Sequence, residues 1–207
     1  MSLFFQIHPE NPQGRLISQA VEMMRDGGVV VYPTDSCYAL GCRIGDRVAA
    51  ERIRNIRRLE PKHDFTLMCN ELSEVGTYAK LENPVFRLIK SLTPGPYTFI
   101  LQATKEVPKR LLTPKRKTIG LRIPQNPIVN ALLETLGEPI ISTTLIMPGD
   151  EYPLSDPYEM RDVLDKHVDL IIDGGYCGLE PTTVIDMLDD VPKVVREGLG
   201  DTSMIDQ

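Results

Sequence analysis

The sequence predicts an α/β fold of α+β-like character: a single domain whose large twisted sheet mixes parallel and antiparallel strands and is flanked by helices. Short β-branched runs alternate with segments of helical period along the chain, which is typical of α/β folds. The last two predicted strands are separated only by residues 188–193, a spacing typical of an antiparallel hairpin. The 207 residues suit one domain, and no repeat or linker divides them.

Eight runs rich in β-branched and aromatic residues predict the strands of the sheet. In chain order they are residues 29–32, 66–69, 97–101, 118–123, 139–143, 170–173, 182–187 and 194–196. The predicted hairpin joins the last two of them.

Amphipathic segments between these runs predict the helices. Asn11 and Pro12 predict the start of the first helix, as its cap and its first helical residue. Asp46 predicts the cap of the second helix. Residues 84–92, 127–136 and 157–164 are the other predicted helices. The apolar faces expected of the first two helices are Leu16, Ile17, Ala20, Val21 and Met24, and Val48, Ala49, Ile53 and Ile56.

Composition excludes several classes of protein. The formal net charge is −6, which argues against an indiscriminate nucleic-acid coat protein. The four cysteines form no C-x-x-C pair, so we expect buried thiols in a reducing compartment and no zinc site. No apolar run approaches the roughly 20 residues that span a bilayer, and the N-terminus has no signal-peptide pattern. We expect a cytoplasmic protein without a membrane partner.

Basic residues are concentrated in two segments of this acidic chain. Residues 47–62 and 105–117 together hold twelve of the 23 lysines and arginines. Such separation of charge favours a positive site for phosphate or RNA. Two solvated faces that never meet would explain it equally well. The twelve are Arg47, Arg52, Arg54, Arg57, Arg58, Lys62, Lys105, Lys109, Arg110, Lys115, Arg116 and Lys117.

Hydroxyl side chains follow or end several predicted strands, at 33–36, 142–144 and 181–183. Each group alone is more often a turn former. Together with Arg122 and Arg196 on strands they predict an anion site, because open sheets bind ligands beyond the carboxyl ends of their strands. If the two arginines are only structural, Asp35 and Asp186 are their expected acidic partners.

Five motifs in order resemble the YrdC/YciO family, and its YciO branch most closely. Residues 27–41, GGVVVYPTDSCYALG, are similar to the pattern GG-hydrophobic-PT(D/E)T-x-YGLG. Residues 93–98 resemble its PGPxT turn, and residues 118–124 resemble TxGxRxP. The pair Gly174-Gly175 followed by 181–186 resembles GG…STVVD, and residues 196–198 resemble the closing R-x-G. The resemblance extends over one domain, residues 11–198.

The resemblance implies a concave basic surface that binds ATP or AMP, and also tRNA or double-stranded RNA. The activity that it implies is synthesis of threonylcarbamoyl-AMP from threonine, bicarbonate and ATP, with Mg²⁺ carried by the nucleotide and pyrophosphate released. This product serves tRNA modification. No resident metal and no tightly bound cofactor are expected.

The resemblance also assigns roles to residues. An amino-acid substrate would contact Ser36, Arg122, Ser142 and Thr182. The nucleotide would contact Arg57, Arg58, Lys62, His63, Thr118, Thr144 and Arg196.

Some motif positions depart from the family pattern. Arg57 replaces a Lys and Leu59 an Arg, while Ile146 stands where the family has Asn and Met68 where a His often stands. Losing a donor aimed at a transition state typically costs about 10²–10³ in rate. Two hypotheses therefore stay open at this point: a synthase-like enzyme, and a nucleotide- or RNA-binding module without turnover.

Overall fold

The computed structural model describes residues 1–60, 65–112 and 115–205 of the chain. Its ten strands are β1 Leu3–Gln6, β2 Val30–Tyr32, β3 Ala39–Arg43, β4 Thr66–Met68, β5 Tyr97–Gln102, β6 Thr118–Arg122, β7 Ile140–Thr144, β8 Leu170–Asp173, β9 Thr183–Asp186 and β10 Lys193–Arg196. Its helices are α1 Gly14–Arg25, α2 Arg47–Arg57, α3 Leu72–Tyr78, α4 Asn83–Leu92, α5 Pro127–Leu136 and α6 Pro157–Leu164. A short 3₁₀ turn covers Lys109–Leu111.

All described strands belong to one sheet, in the order β1-β8-β2-β3-β7-β4-β6-β5-β9-β10. The pairs β1–β8, β8–β2, β4–β6 and β5–β9 are parallel, and the other neighbours are antiparallel. The predicted mixed sheet is therefore confirmed, and β9 and β10 form the expected antiparallel hairpin.

Helices cover the two faces of the sheet unequally. The buried side chains of α2, α3, α4 and α6 join one apolar cluster on one face. On the other face, α1 and α5 pack together over the β8–β2–β3 end of the sheet, where Val30 and Leu170 lie beneath them. Beyond β7, Met68 of β4 is the one described strand residue in this second cluster, so within the described ranges neither α1 nor α5 covers that part of the face.

The first two helices differ in detail from the helices that the sequence predicts. Helix α1 begins at Gly14, not at Pro12, because the preceding turn is closed by side chains of its own: Nδ1 of His8 accepts from the N–H of Asn11 at 3.1 Å, and Gln13 Oε1 accepts from the N–H of His8 at 3.0 Å. Asp46 caps α2 as expected, accepting from the N–H of Ala49 at 2.8 Å. Val48 was expected inward but is 71% exposed, since the buried face of α2 is Ala49, Ala50 and Ile53.

The sequence patterns do not predict β1, β3 or α3. Strand β3 reads Ala-Leu-Gly-Cys-Arg, without a β-branched residue, so its propensity is weak although it is almost wholly buried. Strand β1 is an edge strand of four residues. Among the described helices, none is long and apolar enough to cross a membrane.

Candidate functional site

The open half of the sheet forms the floor of a concave cavity of about 220 Å³, which we call the bowl. Side chains alternate along each strand, so residues two apart share a face. On β6, Thr118, Gly120 and Arg122 face the bowl, whereas Ile119 and Leu121 enter the helix-covered core beneath. The same alternation places Thr66 and Met68, Thr98 and Ile100, and Ser142 and Thr144 on the floor. The wall of the bowl also includes Ser36, Arg57, Ile146, Thr182, Val184 and Arg196.

Arg122 is the most enclosed cation of the bowl, with 5% of its surface exposed. Its Nη2 donates to a carboxylate oxygen of Asp35, to Ser36 Oγ at 3.1 Å and to Thr34 Oγ1 at 3.3 Å. Asp35 is thus the acidic partner expected from the sequence. Arg122 Nε is buried without a hydrogen-bond partner in the described part of the chain, so this guanidinium keeps an unused donor.

The segment between β2 and β3 presents Ser36 through its own hydrogen bonds. Thr34 Oγ1 donates to the carbonyl of Cys37 at 2.7 Å and accepts from the N–H of Ser36 at 3.1 Å. This small side-chain turn fixes the chain where it passes over Arg122. On the opposite wall, the hydroxyls of Thr98 and Thr182 are hydrogen-bonded at 2.9 Å.

Arg196 reaches the bowl because β10 contains a bulge. The register of β10 against β9 shifts between Val194 and Arg196, so Arg196 pairs with Val184, whose side chain faces the bowl. The guanidinium then donates to the carbonyl of Thr182 from Nη2 at 2.8 Å and from Nε at 3.2 Å. Asp186, the partner expected for Arg196, is instead 3.4 Å from Arg116.

Gly198 explains why the closing motif ends in glycine. A Cβ at this position would lie 2.4 Å from the carbonyl oxygen of Pro181 and 2.6 Å from the backbone of Thr182. The N–H of Gly198 donates to Thr183 Oγ1 at 3.1 Å. The chain after Arg196 therefore has to pass directly against residues 181–182, which lead into β9.

Arg57, the last residue of α2, forms part of the bowl's wall. Its Nη1 donates to the carbonyl of Ile146, and its Nε is buried without a partner among the described residues. Burial lowers the pKa of the Arg57 guanidinium, and burial likewise lowers that of Arg196, because desolvation disfavours the charged form. An anion placed in the bowl would relieve this cost for both.

The charge of the bowl is positive. Arg57, Arg122 and Arg196 line it, and no carboxylate in the described ranges does. Asp35 neutralises Arg122 from outside this lining, which leaves the two other guanidiniums without an acidic partner among the described residues. Two unneutralised cations, the half-buried Arg57 and the more exposed Arg196, lie beside several hydroxyls and suit a ligand that carries more than one negative charge.

Most of the site residues expected from the sequence meet in this cavity. Ser36, Arg57, Thr118, Arg122, Ser142, Thr144, Thr182 and Arg196 all line it. Arg58 does not: it lines a separate groove with Arg52 and His167. Lys62 and His63 lie outside the described residues.

The described members of the two basic segments do not gather around the bowl, which favours the second of the two explanations of the charge pattern, separate solvated faces. Of their described members, Arg57 alone lines it. Arg47, Arg54 and Arg110 meet instead in a neighbouring depression that shares Phe65 with the bowl, and Leu59 lies there too, packed against the helix-covered core. The cations of the bowl come from β6, β10 and the end of α2.

Sequence reasoning missed several groups that shape the bowl. The hydroxyl of Tyr32, fully buried, donates to Ser142 Oγ at 2.7 Å. Gly120 leaves the floor low, since a Cβ there would be 3.1 Å from Thr66 Oγ1 and 3.3 Å from Thr98 Cγ2. Alternation along the predicted strands would have found Thr98 and Gly120, whereas the partner of Tyr32 depends on strand order.

A metal centre of the protein's own has no ligand set in the ranges that the structure describes. No group of three or more His, Cys, Asp or Glu side chains there is placed to hold a metal ion. A divalent cation that arrives as part of a nucleotide substrate needs no such set.

Comparison with known proteins agrees with the motifs. The family model described as "Telomere recombination", that of the Sua5, YciO and YrdC proteins, matches residues 22–198. YciO of Escherichia coli (strain K12), an uncharacterized protein, is 65% identical over 201 residues, which cover 97% of this chain and 98% of that protein. The crystal structure of E. coli YciO matches with a TM-score of 0.96 at 63% identity, covering 99% of this chain and 100% of that chain.

More distant relatives include one named for an activity and one whose structure contains a ligand. The threonylcarbamoyl-AMP synthase of Coxiella burnetii (strain RSA 493 / Nine Mile phase I) is 30% identical over 159 residues, or 76% of this chain and 84% of that protein. The structure of P. abyssi Sua5 complexed with L-threonine matches with a TM-score of 0.88 at 24% identity, over 95% of this chain and 58% of that chain. At that identity the second likeness shows the shared fold.

Proposed function

The chain belongs to the Sua5/YciO/YrdC family, and on that basis we propose that its bowl binds ATP and a small amino acid such as threonine and joins them, with bicarbonate, into a threonylcarbamoyl-AMP-type adenylate. The observation that carries the proposal is the charge of the bowl: three guanidiniums and a set of hydroxyls, with no lining carboxylate in the described ranges.

The amino acid is assigned to the Arg122 end. A carboxylate there accepts hydrogen bonds from a buried guanidinium and from the hydroxyls of Ser142 and Thr182, which line the same cavity. Asp35 holds the guanidinium in place, so little side-chain freedom is lost when the ligand binds. A relative crystallised with L-threonine supports an amino acid as the ligand class.

The nucleotide is assigned to the side where Arg57, Thr144 and Arg196 meet the bowl. Arg57 and Arg196 have hydrogen bonds to backbone carbonyls but no carboxylate partner within the described residues. A phosphate chain supplies the missing negative charge. Mg²⁺ bound to the phosphates neutralises the negative charge that exceeds the positive charge of the two arginines. Phosphate transfer needs positioning and charge stabilisation above all, which is what fixed guanidiniums provide.

The reaction has two bond-forming steps. The amino nitrogen attacks the carbon of bicarbonate, and loss of water leaves a carbamate. A carbamate oxygen then attacks the α-phosphorus of ATP, the bond to the β-phosphate breaks, and pyrophosphate leaves. A relative named threonylcarbamoyl-AMP synthase supports this reaction class, and a role in tRNA modification follows from it.

A second candidate function is binding without turnover. The specific observation in its favour is Ile146, an aliphatic side chain in the wall of the bowl where the family pattern has an amide. Leu59 adds to it, because this residue lines the neighbouring depression and gives the bowl no charge. RNA binding stays a prediction of the sequence; the basic residues between 105 and 117 are exposed and none of those described lines the bowl.

The test is pyrophosphate release from MgATP with bicarbonate and a panel of amino acids, beside calorimetric titration with ATP and with L-threonine. We expect both ligands to bind and pyrophosphate to form in an amino-acid-dependent manner. Arg122→Gln should abolish amino-acid dependence. Binding without pyrophosphate at high enzyme concentration would favour the second candidate, and absence of binding would refute both.

A further inference from the structure

We propose that the groove between α2 and α6 is a second ligand site, distinct from the bowl, and that it binds a small phosphorylated ligand of the nucleotide class. The groove has a volume of about 590 Å³. Ligand sites for small molecules commonly fall in the range of about 300–1,000 Å³.

Cations gather on one side of the groove. Arg58, Lys166 and His167 line it, and the described chain shows no side-chain partner for any of the three. Arg52 lies beside them but is engaged, donating to Asp169 at 2.8 Å and to the carbonyl of His167 at 3.1 Å. No Asp or Glu side chain lines the groove within the described ranges.

Helix capping does not account for these cations. The carbonyls near the end of α2 are bound by backbone donors: the N–H of Arg58 donates to Asn55 and that of Leu59 to Arg54. The carbonyl of Leu164, at the end of α6, accepts from the N–H groups of His167 and Val168. The side chains of Arg58, Lys166 and His167 are therefore available to an outside anion.

The conformation of Arg58 is a second indication. It ends α2 with φ 48° and ψ 44°, the left-handed region in which helices usually place Gly or Asn. An arginine is less favourable than glycine in this conformation, because its Cβ crowds the backbone. That conformation turns Arg58 into the groove while its neighbour Arg57 enters the bowl.

The opposite side of the groove is apolar, formed by Ile56, Met147, Pro148 and Val163. Val163 is 42% exposed, although it lies on a helix whose inner face is well packed. A ligand with phosphate at one end and a planar apolar ring system at the other matches both sides, and a nucleoside monophosphate has that form. Inorganic phosphate would use only the cations.

The groove and the bowl are separate cavities with a shared wall. Arg57 and Ile146 line the bowl, whereas the next residues along the chain, Arg58 and Met147, line the groove. The hydrogen bond from Arg57 to the carbonyl of Ile146 closes the wall between them. Ligand binding in the groove can therefore be tested independently of the bowl.

The experiment is a titration of the full chain with AMP, and in separate arms with adenosine and inorganic phosphate, followed by the imidazole proton signals in NMR. His167 lies in the groove, and His8, whose Nδ1 accepts from Glu10 and Asn11, is an internal reference. His167→Gln assigns the signal. We expect AMP to shift the His167 signal saturably and at lower concentration than phosphate or adenosine does, and to leave that of His8 in place.

Paired variants locate the binding. Arg58→Gln with Lys166→Gln should raise the apparent Kd of AMP at His167 by about tenfold or more, since one charge-assisted hydrogen bond is worth roughly that factor. Arg15→Gln with Lys193→Gln removes the same charge from exposed positions elsewhere and should change little. Arg196→Gln, in the bowl, should also leave the His167 response unchanged, which separates this proposal from the proposed function.

Four results would overturn the proposal: no saturable shift of His167 with AMP, an undiminished shift in the Arg58/Lys166 variant, loss of the shift in the Arg196 variant, or equal affinity for AMP and phosphate. Circular dichroism of every variant checks that the fold is retained, and a variant that fails this check is replaced by the single substitution Lys166→Gln.

Discussion

Tyr32 reaches across a whole strand to hold Ser142. Its hydroxyl donates to Ser142 Oγ at 2.7 Å, although β2 and β7 are separated by β3. The gap is bridged over Gly41, the residue opposite Ser142, where a Cβ would lie 2.6 Å from the Tyr32 ring. Burial raises the pKa of Tyr32, so the phenol keeps its proton and remains a donor. Ser142 is left with its own proton free for a ligand in the bowl.

Tyr32→Phe should weaken L-threonine binding by a factor of about ten, the worth of one hydrogen bond that fixes a donor. Calorimetric titration measures the effect. Tyr38→Phe is the matched control, because Tyr38 is equally buried and its hydroxyl donates to the carbonyl of Gly175 at 2.7 Å, not to a bowl residue. Equal losses of affinity in the two variants would show that Tyr32 has no positioning role.

Arg122→Met should lower the free energy of unfolding by about 3–5 kcal/mol, since it leaves the buried carboxylate of Asp35 without its counter-charge. Urea unfolding measures it. The double variant Arg122→Met, Asp35→Leu removes both charges and should recover most of the loss. A single variant as stable as the parent, or a double variant no better than the single, would contradict this account.

Gly198→Ala should destabilise the protein and weaken nucleotide binding, because the added methyl group meets backbone atoms of Pro181 and Thr182 at 2.4–2.6 Å. We expect a loss of about 1–3 kcal/mol, typical of overpacking. Gly14→Ala, at the start of α1, meets nothing within 4 Å and is the control. Thermal unfolding compares them, and similar midpoints in both variants would refute the prediction.

Stability should fall as the solution is made alkaline. Burial raises the pKa of Cys177 from 9.0 to about 11 and that of Cys42 from 9.0 to about 12. The folded state therefore keeps these protons when the unfolded state loses them, so this stabilisation is complete below pH 9 and is lost as the pH rises through about 11 to 12. Urea midpoints between pH 8 and pH 11 measure it, with Cys42→Ala as a variant whose slope should be smaller. A midpoint independent of pH in this range would be inconsistent with protonated buried thiols.

Ile146→Asn is expected to raise pyrophosphate release, or to create it, because it returns an amide donor to the wall of the bowl. Leu59→Arg is its control: Leu59 lines the neighbouring depression and not the bowl, so we expect no gain from a new guanidinium at position 59. The two variants are compared under single-turnover conditions. A gain from Leu59→Arg alone would contradict the placement of that side chain.

Local pattern predicted those parts of the molecule that local chemistry determines. Helices α5 and α6 begin and end where the prolines and the apolar period place them. Specific motifs single out residues 122, 142, 182 and 196, and these four line one cavity. Strand β3 was missed since its burial comes from its position in the middle of the sheet, which its own residues do not encode.

The charge pattern left two explanations open because sequence proximity does not decide which cavity a residue at a helix end faces. Arg57 and Arg58 are adjacent, yet they enter different cavities. Arg196 reaches the bowl through a bulge, and without that extra residue it would fall on the core side of β10. Both outcomes depend on backbone geometry at a single residue, which composition and periodicity do not reveal.

The two faces of β6 serve different purposes. Thr118, Gly120 and Arg122 face the bowl, and Ile119 and Leu121 face the apolar core. Deleting one residue before the strand would shift its register by one and exchange the two faces, which would place a guanidinium in the apolar core and a leucine against the ligand. Point substitutions can therefore change this site one side chain at a time, whereas a one-residue shift in the register of β6 would disrupt both the site and the core.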